Sequence, residues 1–509
     1  MYGLSGRELR FALLVSSSHF AQHVYYRILP PLIPVLSVAL EYPLWQLGLL
    51  ITLTWIGMGI TQAPLGVLSD RIDRRYLLPT GLALTGAAYV VFAAAPYLGT
   101  PLPSLTIAGY IFEGGFLVMA LSMGIVGIGL AVVHPAGYPM ITDNVAAANK
   151  GKALGIFGAS SKLGDAATPA FVAVLILALA WEQIVLLFGV AGVLYGIALY
   201  AVLGGDEYVT IPSGRRETPA RRVDEDQAGD ERARGRASED RTSEGQASDD
   251  RASGDHASDD RASEDHASDD RASGDHASDD RAGEDRVAGR RPTERQEGDR
   301  RSFLYPMVAV YCYFISISLS TMALNTFLPV FLVAVYAYSI DVMGVHVGAE
   351  SVANVYFALL LFSGAVMQLV LGGLTDRFDT RLILIYCMGI AAAGMFMLAV
   401  FDLHPLLLAV VIVVLGAGMY GVNPARDALI SDLSPPAFEG RAFGYIFTAV
   451  TLTTAPLPTV IGYLLDTVGM REGYLLLAVG PVLAGACITT LYSDRIYRQQ
   501  RSVAAYGDD

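Results

Sequence analysis

The sequence predicts an all-α polytopic membrane protein with twelve transmembrane helices in two pseudo-symmetric six-helix bundles. Of the 509 residues, 53% are hydrophobic and only 17% are charged, whereas soluble proteins average roughly 25% charged residues. The charges concentrate in 206–301, which holds 18 arginines, 28 acidic residues and −10 of the net charge of −14. The remaining apolar runs fall into two sets of six that repeat each other. A soluble enzyme of this size is therefore excluded.

Each apolar run is long enough to cross a bilayer, whose hydrocarbon core of about 30 Å takes about 20 helical residues. The runs lack the alternating pattern of a membrane β-barrel, so helices must satisfy their backbone. The first run is too long for a signal peptide and is taken as the first helix. An N-terminal bundle over 1–205 and a C-terminal bundle over 302–509 are predicted. The runs are 11–39, 44–67, 77–96, 108–141, 152–180, 183–204, 304–336, 351–374, 382–401, 405–430, 441–466 and 473–492.

Basic residues mark one face of the predicted bundle, which the positive-inside rule assigns to the cytoplasm. The short connections of the opposite face contain one basic residue, Arg471. We therefore expect a multi-pass protein of the plasma membrane with both termini and 206–301 in the cytoplasm. The basic residues of the cytoplasmic face are Arg7, Arg10, Arg71, Arg74, Arg75, Lys150, Lys152, Arg377, Arg381, Arg441, Arg495, Arg498 and Arg501.

The polar segment 206–301 contains a ten-residue repeat, seen as ASDDRASGDH, over 237–286. Alanine is almost its only apolar residue, so it cannot bury enough surface to offset the entropy of ordering, and we expect a disordered linker. Recruitment of a partner is the alternative. Only three of the 35 basic residues are lysines. This usage fits a halophilic source, in which hydrated carboxylates keep proteins soluble, or a high-GC genome.

Two blocks of sequence recur in the two sets of runs. GVLSDRIDRR at 66–75 matches GGLTDRFDTR at 372–381, at an offset of 306 residues. GIGLAVVHPAGYPMITD at 127–143 matches GAGMYGVNPARDALISD at 416–432, at an offset of 289 residues. The two halves are therefore parallel repeats. The difference of 17 residues between the offsets predicts an insertion in the first half, near 97–115.

Two six-helix halves, each with a G-x-x-x-D-R turn after its second helix, resemble the major facilitator superfamily over essentially the whole chain except 206–301. Family members usually have Gly at the positions of Asp73 and Asp379, and Thr380 replaces the arginine that the first half has at Arg74. The HF-x-x-H motif of helix one, VVHPAGYPMITD in helix four and GKALGIFGASSKLGDAATP in helix five are similar to fosmidomycin-resistance-type exporters. The motif residues are Gly66, Asp70, Arg71 and Arg75, and in the second half Asp376, Arg377 and Arg381.

The turn motif predicts a gate on the cytoplasmic face. The Asp70 carboxylate can lie at the N-terminus of a neighbouring helix, where the dipole favours it by about 0.3–1 kcal/mol. The flanking arginines can pair with carboxylates across the two halves. Such contacts would hold one of two rigid-body states, as alternating access requires. The alternative is that the arginines only mark the cytoplasmic face.

Ionisable residues inside a membrane are costly and are therefore candidates for a transport path. In helix one, His19, Gln22, His23 and Tyr26 share one stripe and Arg27 follows, so that one polar face points inward. The family resemblance implies a central cavity lined by helices one, four, seven and ten. The candidates beyond helix one are His134 in helix four, Lys162 and Asp165 in helix five, Asn325 in helix seven, and Asn423, Arg426 and Asp427 in helix ten.

Histidine titrates near pH 6.5, so His19, His23 or His134 is a candidate carrier of a coupling proton. Asp165 is the alternative carrier, with Arg27 as an anion-binding or charge-balancing group.

Structural interpretations stay open for two of these sites. His134 could satisfy carbonyl groups that Pro135 frees, and Lys162 with Asp165 could be a structural ion pair.

The sequence therefore predicts a secondary active transporter of a small organic solute, coupled to protons and acting as an efflux antiporter. The alternatives are uptake of an organic anion by symport and, in another class, a receptor or scaffold that uses 206–301. The sequence contains no P-loop, metal-ligand cluster or nucleophile–base arrangement, so we expect no enzymatic activity, cofactor or metal. The expected partners are a small-molecule substrate, protons and the lipid bilayer, without nucleic acid, and the protein is expected to be a monomer.

Overall fold

The structure is a computed structural model that describes residues 3–205, 208–212, 292–375, 377–433 and 439–492. For 292–305, 439–445 and position 447 it describes the backbone alone. The ten-residue repeats of the predicted linker and the motif residue Asp376 lie outside the described residues.

The first half is built from helices and one β-hairpin. The short element α5 ends the third predicted span, and a 3-10 turn at Ala147–Asn149 precedes α8. In chain order the elements are α1 Gly6–Tyr26, α2 Leu29–Ala39, α3 Leu44–Ser69, α4 Arg74–Ala93, α5 Ala95–Leu98, β1 Leu105–Ile107, β2 Tyr110–Phe112, α6 Gly114–Leu130, α7 Val133–Asn144, α8 Lys150–Leu175 and α9 Trp181–Leu203.

The second half repeats this plan, with its hairpin after the first helix and a 3-10 turn at Thr490–Tyr492. Its elements are α10 Pro292–Val335, β3 Ile340–Val342, β4 Val345–Val347, α11 Ala349–Leu374, α12 Thr380–Val400, α13 Pro405–Tyr420, α14 Asn423–Leu433, α15 Glu439–Thr454, α16 Leu457–Val468, α17 Met470–Leu477 and α18 Val479–Thr489.

Ten helical stretches of the described ranges are long and apolar enough to cross a membrane. The other two predicted spans are helical as well, as α1 with α2 and as α8. They are less apolar because they carry the polar candidates of helices one and five. The first span is interrupted before the pair Pro30–Pro31, since proline lacks the N–H group that would continue the helix and is tolerated only in a first turn. The predicted polytopic fold is confirmed.

Two predicted boundaries are wrong. The apolar run that starts at 108 forms strand β2 rather than the start of helix four, which begins at Gly114. The cause is a two-residue turn at Ala108 and Gly109, whose φ angles of 51° and 86° suit a tight hairpin. This hairpin lies where the insertion was predicted. The seventh predicted span is confirmed at Pro306–Val335, but its helix α10 already starts at Pro292. Residues 292–301, which were assigned to the disordered linker, are therefore helical, because their Glu, Gln and Arg residues favour a helix.

The two halves meet through two equivalent interfaces. Helix α3 packs against α16, and α8 packs against α11; the sequence repeat relates α3 to α11 and α8 to α15–α16. At the first interface the backbones come close, because a Cβ at Gly48 would collide with the carbonyl oxygen of Pro458. We call the end of the bundle with the two hairpins the hairpin end, and the opposite end, with the turns after α3 and α11, the arginine-rich end.

Residues 208–212, which the sequence analysis assigned to the disordered linker, are held at the arginine-rich end. The N–H of Val209 donates to Asn144 Oδ1 at 2.8 Å, and Asn144 Nδ2 donates to the Val209 carbonyl at 2.7 Å. The N–H of Arg74 donates to the Thr210 carbonyl at 3.1 Å. These residues therefore extend the first half beyond α9.

Candidate functional site

A buried ion pair joins α1 to α8. Arg27 Nε donates to Asp165 Oδ1 at 2.8 Å, and each side chain is 8% exposed. The helices approach closely because position 164 is a glycine, where a Cβ would lie 2.6 Å from the Phe20 carbonyl oxygen. The Arg27 guanidinium also lies 5.0 Å from the centre of the Tyr26 ring, within range of a cation–π interaction. Arg27 and Asp165 are both candidates from the sequence, but their pairing was not predicted.

Two further basic groups surround the Asp165 carboxylate. His23 Nδ1 lies 3.0 Å from Oδ1, and Lys162 Nζ lies 3.9 Å from Oδ2. The Lys162 contact foreseen from the sequence is thus longer than the contact of Arg27. With His23 neutral, two positive charges face one negative charge, so the cluster keeps one positive charge in excess. Its accessible side is at Lys162, whose side chain is 37% exposed.

Three histidine rings lie beside this ion cluster. The ring centres of His23 and His134 are each 5.0 Å from that of His19. His19 Nδ1 hydrogen-bonds to the Phe157 carbonyl at 2.7 Å. Gln22 Nε2 donates to a carbonyl of α6 at 2.8 Å and lies 3.5 Å from His134 Nδ1. Within the described part of the chain, the buried Gln22 Oε1 has no hydrogen-bond partner.

Tyr420 joins polar groups of three helices in the second half. Its hydroxyl, at the end of α13, donates to Asn325 Oδ1 at 2.6 Å. Its backbone carbonyl accepts a hydrogen bond from Gln368 Nε2 at 3.0 Å. Asn325 is a candidate from the sequence, whereas Tyr420 was not predicted, because a single tyrosine in an apolar helix carries no signal of its own.

The candidates of helix ten form one group on α14. Arg426 Nε donates to Asp427 Oδ1 at 2.9 Å, and its Nη1 donates to Asn423 Oδ1 at 2.9 Å. The guanidinium lies 5.1 Å from the centre of the Phe314 ring in α10. Because the Asp427 side chain is 47% exposed, this ion pair is more open to solvent than the pair of α1 and α8.

The turn after α3 holds one exposed carboxylate and one buried arginine. Asp70 is 77% exposed and lies 3.9 Å from Arg74. Among the described residues, no helix N-terminus donates a hydrogen bond to Asp70 in this conformation. Arg74, which was not selected from the sequence, is 5% exposed and donates to Asp143 Oδ2 at 2.9 Å and to the Ser69 hydroxyl at 3.3 Å. It ties the ends of α3, α4 and α7 together.

The aspartates that depart from the family motif are helix caps. Asp73 accepts the N–H of Arg75 at 3.0 Å, and Asp379 accepts the N–H of Arg381 at 2.9 Å, a role that favours aspartate at an N-cap. Arg381 also donates to the Leu491 carbonyl at 3.1 Å. The other described motif residues are the half-buried Gly66 and the exposed Arg71 and Arg377.

At the hairpin end, a carboxylate of one half caps a helix of the other. Asp466, on α16, accepts the N–H of Leu44 at 3.1 Å and the N–H of Trp45 at 3.0 Å. These groups belong to the first turn of α3 and have no partner within that helix. Thr52 and Thr459 share a hydrogen bond of 2.8 Å deeper in the same interface. The arrangement foreseen for Asp70 thus occurs at the opposite end of the bundle.

The fold and these clusters define a multi-pass α-helical membrane protein with ionisable groups buried inside its bundle. A family model described as the Major Facilitator Superfamily matches residues 15–360 and 310–505. The chain belongs to the major facilitator superfamily.

Two curated relatives match part of the chain. The chain is 26% identical over 167 residues to the probable L-galactonate transporter of Escherichia coli K12. These residues make up 33% of this chain and 33% of the relative. Over 194 residues the chain is 23% identical to the uncharacterized MFS-type transporter YfnC of Bacillus subtilis 168, covering 37% of this chain and 43% of the relative. The chain thus matches less than half the length of either relative.

Solved structures share the fold over almost the whole chain. A bacterial homologue of the human lysosomal transporter Spinster, in an inward-facing and occupied conformation, has a TM-score of 0.65 at 13% identity and covers 98% of this chain and 99% of its own. The inward-open xylose transporter XylE of E. coli has a TM-score of 0.61 at 15% identity, with 96% of each chain covered.

Proposed function

We propose that this protein is a secondary transporter that moves a small organic anion across the membrane together with a proton. The observation that carries the proposal is the sharing of Asp165 by Arg27, His23 and Lys162 inside the bundle. A buried ion cluster contributes little net stability, and its excess positive charge attracts an anion rather than a cation.

The geometry suggests how an anion and a proton are coupled. A substrate carboxylate that binds Arg27 or Lys162 competes with Asp165 for the same cations. An Asp165 carboxylate that loses these partners would be an uncompensated buried charge, which a proton removes. His23, in contact with Asp165 and 21% exposed, is placed to deliver that proton. Anion and proton then bind together, as symport requires.

Alternating access needs a bundle that closes at one end while it opens at the other. The Asp466 cap and the Thr52–Thr459 hydrogen bond join the halves at the hairpin end, as does the bond from Asn354 Nδ2 to the Pro31 carbonyl at 3.0 Å. With the orientation expected from the basic residues, these contacts support a state that is closed to the outside. In the state open to the outside, we expect Asp70 to engage the other half.

The sequence relatives support an organic anion as the substrate, and the sequence motifs favour efflux as the second candidate for the direction of transport. The curated relative named for L-galactonate supports an organic anion as substrate. The similarity of helices one, four and five to fosmidomycin-resistance-type exporters favours proton-driven efflux as the second candidate. Both directions use the same site and differ in whether proton and substrate move together or in exchange.

The direct test is transport by the purified full-length protein in liposomes. We expect labelled galactonate, or another small carboxylate of a screened panel, to accumulate in liposomes with an alkaline interior and to leak out after a protonophore is added. Substrate movement opposite to the proton flux would establish the efflux candidate instead. If no carboxylate moves under a pH gradient of either sign, both candidates are refuted.

Asp165→Asn tests the coupling step, because asparagine resembles the protonated carboxyl group. We expect the variant to exchange internal for external labelled anion but to lose gradient-driven accumulation. The matched control is Asp341→Asn in the exposed hairpin, where Asp341 contacts His346 Nδ1 at the same 3.0 Å distance. The control should accumulate substrate like the wild type. Normal accumulation by Asp165→Asn would exclude Asp165 as the coupling group.

A further inference from the structure

We infer that the histidines beside the ion cluster form a hydroxyl-binding subsite, so that the transported anion is a polyhydroxy monocarboxylate. The inference rests on the proposed function for the binding of the carboxylate at Arg27 and Lys162. It adds a second recognition element from His19, Gln22 and His134.

The hydrogen-bond partners of the three rings determine their neutral tautomers. His19 Nδ1 faces the Phe157 carbonyl, which only accepts, so the proton is on Nδ1 and Nε2 is an acceptor. His23 Nδ1 faces the Asp165 carboxylate, so its Nε2 is also an acceptor. His134 Nδ1 faces the Gln22 amide nitrogen, which only donates, so His134 carries its proton on Nε2 and donates there.

The polar atoms that remain for a ligand include both hydrogen-bond acceptors and a donor. His19 Nε2, His23 Nε2 and Gln22 Oε1 accept, and His134 Nε2 donates; within the described residues none of these four atoms has a hydrogen-bond partner. The Gln22 amide cannot reverse, since its nitrogen is fixed by a carbonyl of α6 at 2.8 Å. A hydroxyl group both donates and accepts, and a buried acceptor such as Gln22 Oε1 gains most from a donor. An alkyl group would leave all four atoms unsatisfied, and a purely accepting group would leave the three acceptors unsatisfied.

The subsite lies next to the cations that would hold the carboxylate. His23 touches both groups, because its Nδ1 is 3.0 Å from Asp165 and its ring centre is 5.0 Å from that of His19. Gln22 and His23 are neighbours on α1, one turn before Arg27. A short chain with a carboxylate at one end and hydroxyl groups along its length therefore matches the order of groups on the helix.

The test is ligand binding by the purified full-length protein, measured without a gradient. The probes are C5 and C6 aldonates (xylonate, gluconate and galactonate), the matching unhydroxylated acids pentanoate and hexanoate, and the uncharged sorbitol. We expect at least one aldonate to bind more tightly than its unhydroxylated counterpart, by about tenfold or more. The unhydroxylated acid loses this affinity because it cannot form hydrogen bonds with the buried groups. Sorbitol should bind weakly because it lacks the carboxylate.

Variants assign the preference to the subsite. Gln22→Met and His134→Phe should each reduce the ratio of aldonate to unhydroxylated-acid affinity by about tenfold while the affinity for hexanoate stays the same. His134→Gln keeps an N–H donor and should retain most of the ratio. The control is Gln46→Met, which removes a buried glutamine at the hairpin end whose Nε2 donates to the Ile111 carbonyl at 3.3 Å. It should leave the ratio unchanged.

The outcomes separate this inference from the proposed function. Equal affinities for aldonates and unhydroxylated acids, or no binding of any aldonate, would overturn hydroxyl recognition. Binding of both acid classes with equal strength would still leave anion transport in place. Binding of sorbitol as tight as that of gluconate would retain the subsite and refute the anion as substrate. If the ratio of aldonate to unhydroxylated-acid affinity is unchanged in Gln22→Met and His134→Phe, the preference does not come from these residues.

Discussion

The two halves of the molecule share their backbone plan but differ in their buried charges. With the offset of 306 residues, Arg27 corresponds to Val333, and with the offset of 289 residues, Asp165 corresponds to Thr454. Thr454 is 5% exposed, so the second half buries a neutral residue where the first buries a carboxylate. Because the second half packs without an ion pair here, the pair is not a requirement of the repeated fold. This difference favours a role in function.

The two turns after the second helix of each half differ in a related way. The position of the buried Arg74 is Thr380 in the second half, where the buried arginine is instead Arg381, the counterpart of Arg75. The side chains of Arg74 and Arg381 are 5% and 8% exposed, compared with 29% for Arg75. Each turn therefore keeps one buried arginine, at positions that differ by one residue.

The largest expected effect on stability comes from replacing buried charged residues of the first half with their counterparts from the second half. Asp165→Thr should lower the free energy of unfolding by about 3–5 kcal/mol, because it leaves the Arg27 guanidinium as an uncompensated buried charge. Arg27→Val should cost less, because His23 and Lys162 remain beside the Asp165 carboxylate. The double variant should be more stable than Asp165→Thr alone, since it removes both charges, and it should not transport. Thermal unfolding in detergent and the liposome assay measure the two effects. Additive losses in the double variant would show that the pair is not energetically coupled.

Arg74→Thr makes the first turn like the second. We expect a loss of about 2–3 kcal/mol, because the variant removes two hydrogen bonds of a buried cation and leaves Asp143 without that partner. Arg75→Ala is the control and should cost about 1 kcal/mol or less, as expected for a partly exposed ion pair. The measurement is again thermal unfolding. Equal losses in the two variants would contradict the distinction between a buried and a surface arginine.

Asp466→Ala tests the cap between the halves, which the repeat does not duplicate: its counterpart is Leu177. Loss of an N-cap costs about 1 kcal/mol, which shifts the equilibrium toward an open hairpin end about fivefold. The probe is the rate at which a membrane-impermeant maleimide labels Thr52→Cys in a background without the native cysteines. Both compared proteins then lack the Thr52–Thr459 hydrogen bond, so the difference between them reports the cap alone. Asp402→Ala, an exposed hairpin-end carboxylate paired with Arg471, should leave the rate unchanged. An unchanged labelling rate in Asp466→Ala would show that the Asp466 cap does not hold the hairpin end closed.

The smallest expected effect is at the start of α1, where Glu8 has the apolar counterpart Phe314. Hydrogen bonds from the N–H groups of Ala146 and Ser5 lower the pKa of Glu8 to about 2 from 4.5. Because the folded-state pKa is lowered, the stabilisation is complete above pH 4.5 and is lost as the pH falls toward 2. Wild type should therefore unfold at a slightly higher temperature than Glu8→Gln at pH 6, and the difference should shrink by pH 3. A constant difference would exclude the carboxylate as its origin.

Sequence reasoning predicted what depends on local pattern and repetition. The spans follow from length and hydropathy, and the 17-residue difference between the two offsets predicts extra residues near 97–115, where the β1–β2 hairpin lies. The predicted start of the fourth helix was wrong because the apolar residues of 108–112 are compatible with a helix and with a strand. The short turn at Gly109, not their hydropathy, makes them a strand.

What sequence reasoning missed depends on partners that are distant along the chain. Spacing suggested Lys162 as the partner of Asp165, but the close approach of α1 at Gly164 brings Arg27 nearer. Asp466 looks like an isolated acidic residue at the end of a span, and its role as a cap appears only when α16 meets α3.

Under the proposed alternating access, the Asp466 cap makes part of the cycle a small folding reaction. The amide protons of Leu44 and Trp45 have acceptors only while the halves touch at the hairpin end. Each opening frees the first turn of α3 to fray, and each closure reorders it. The deuterium uptake of these two amides would then report how long the hairpin end stays open, in the unmodified protein and without any attached probe.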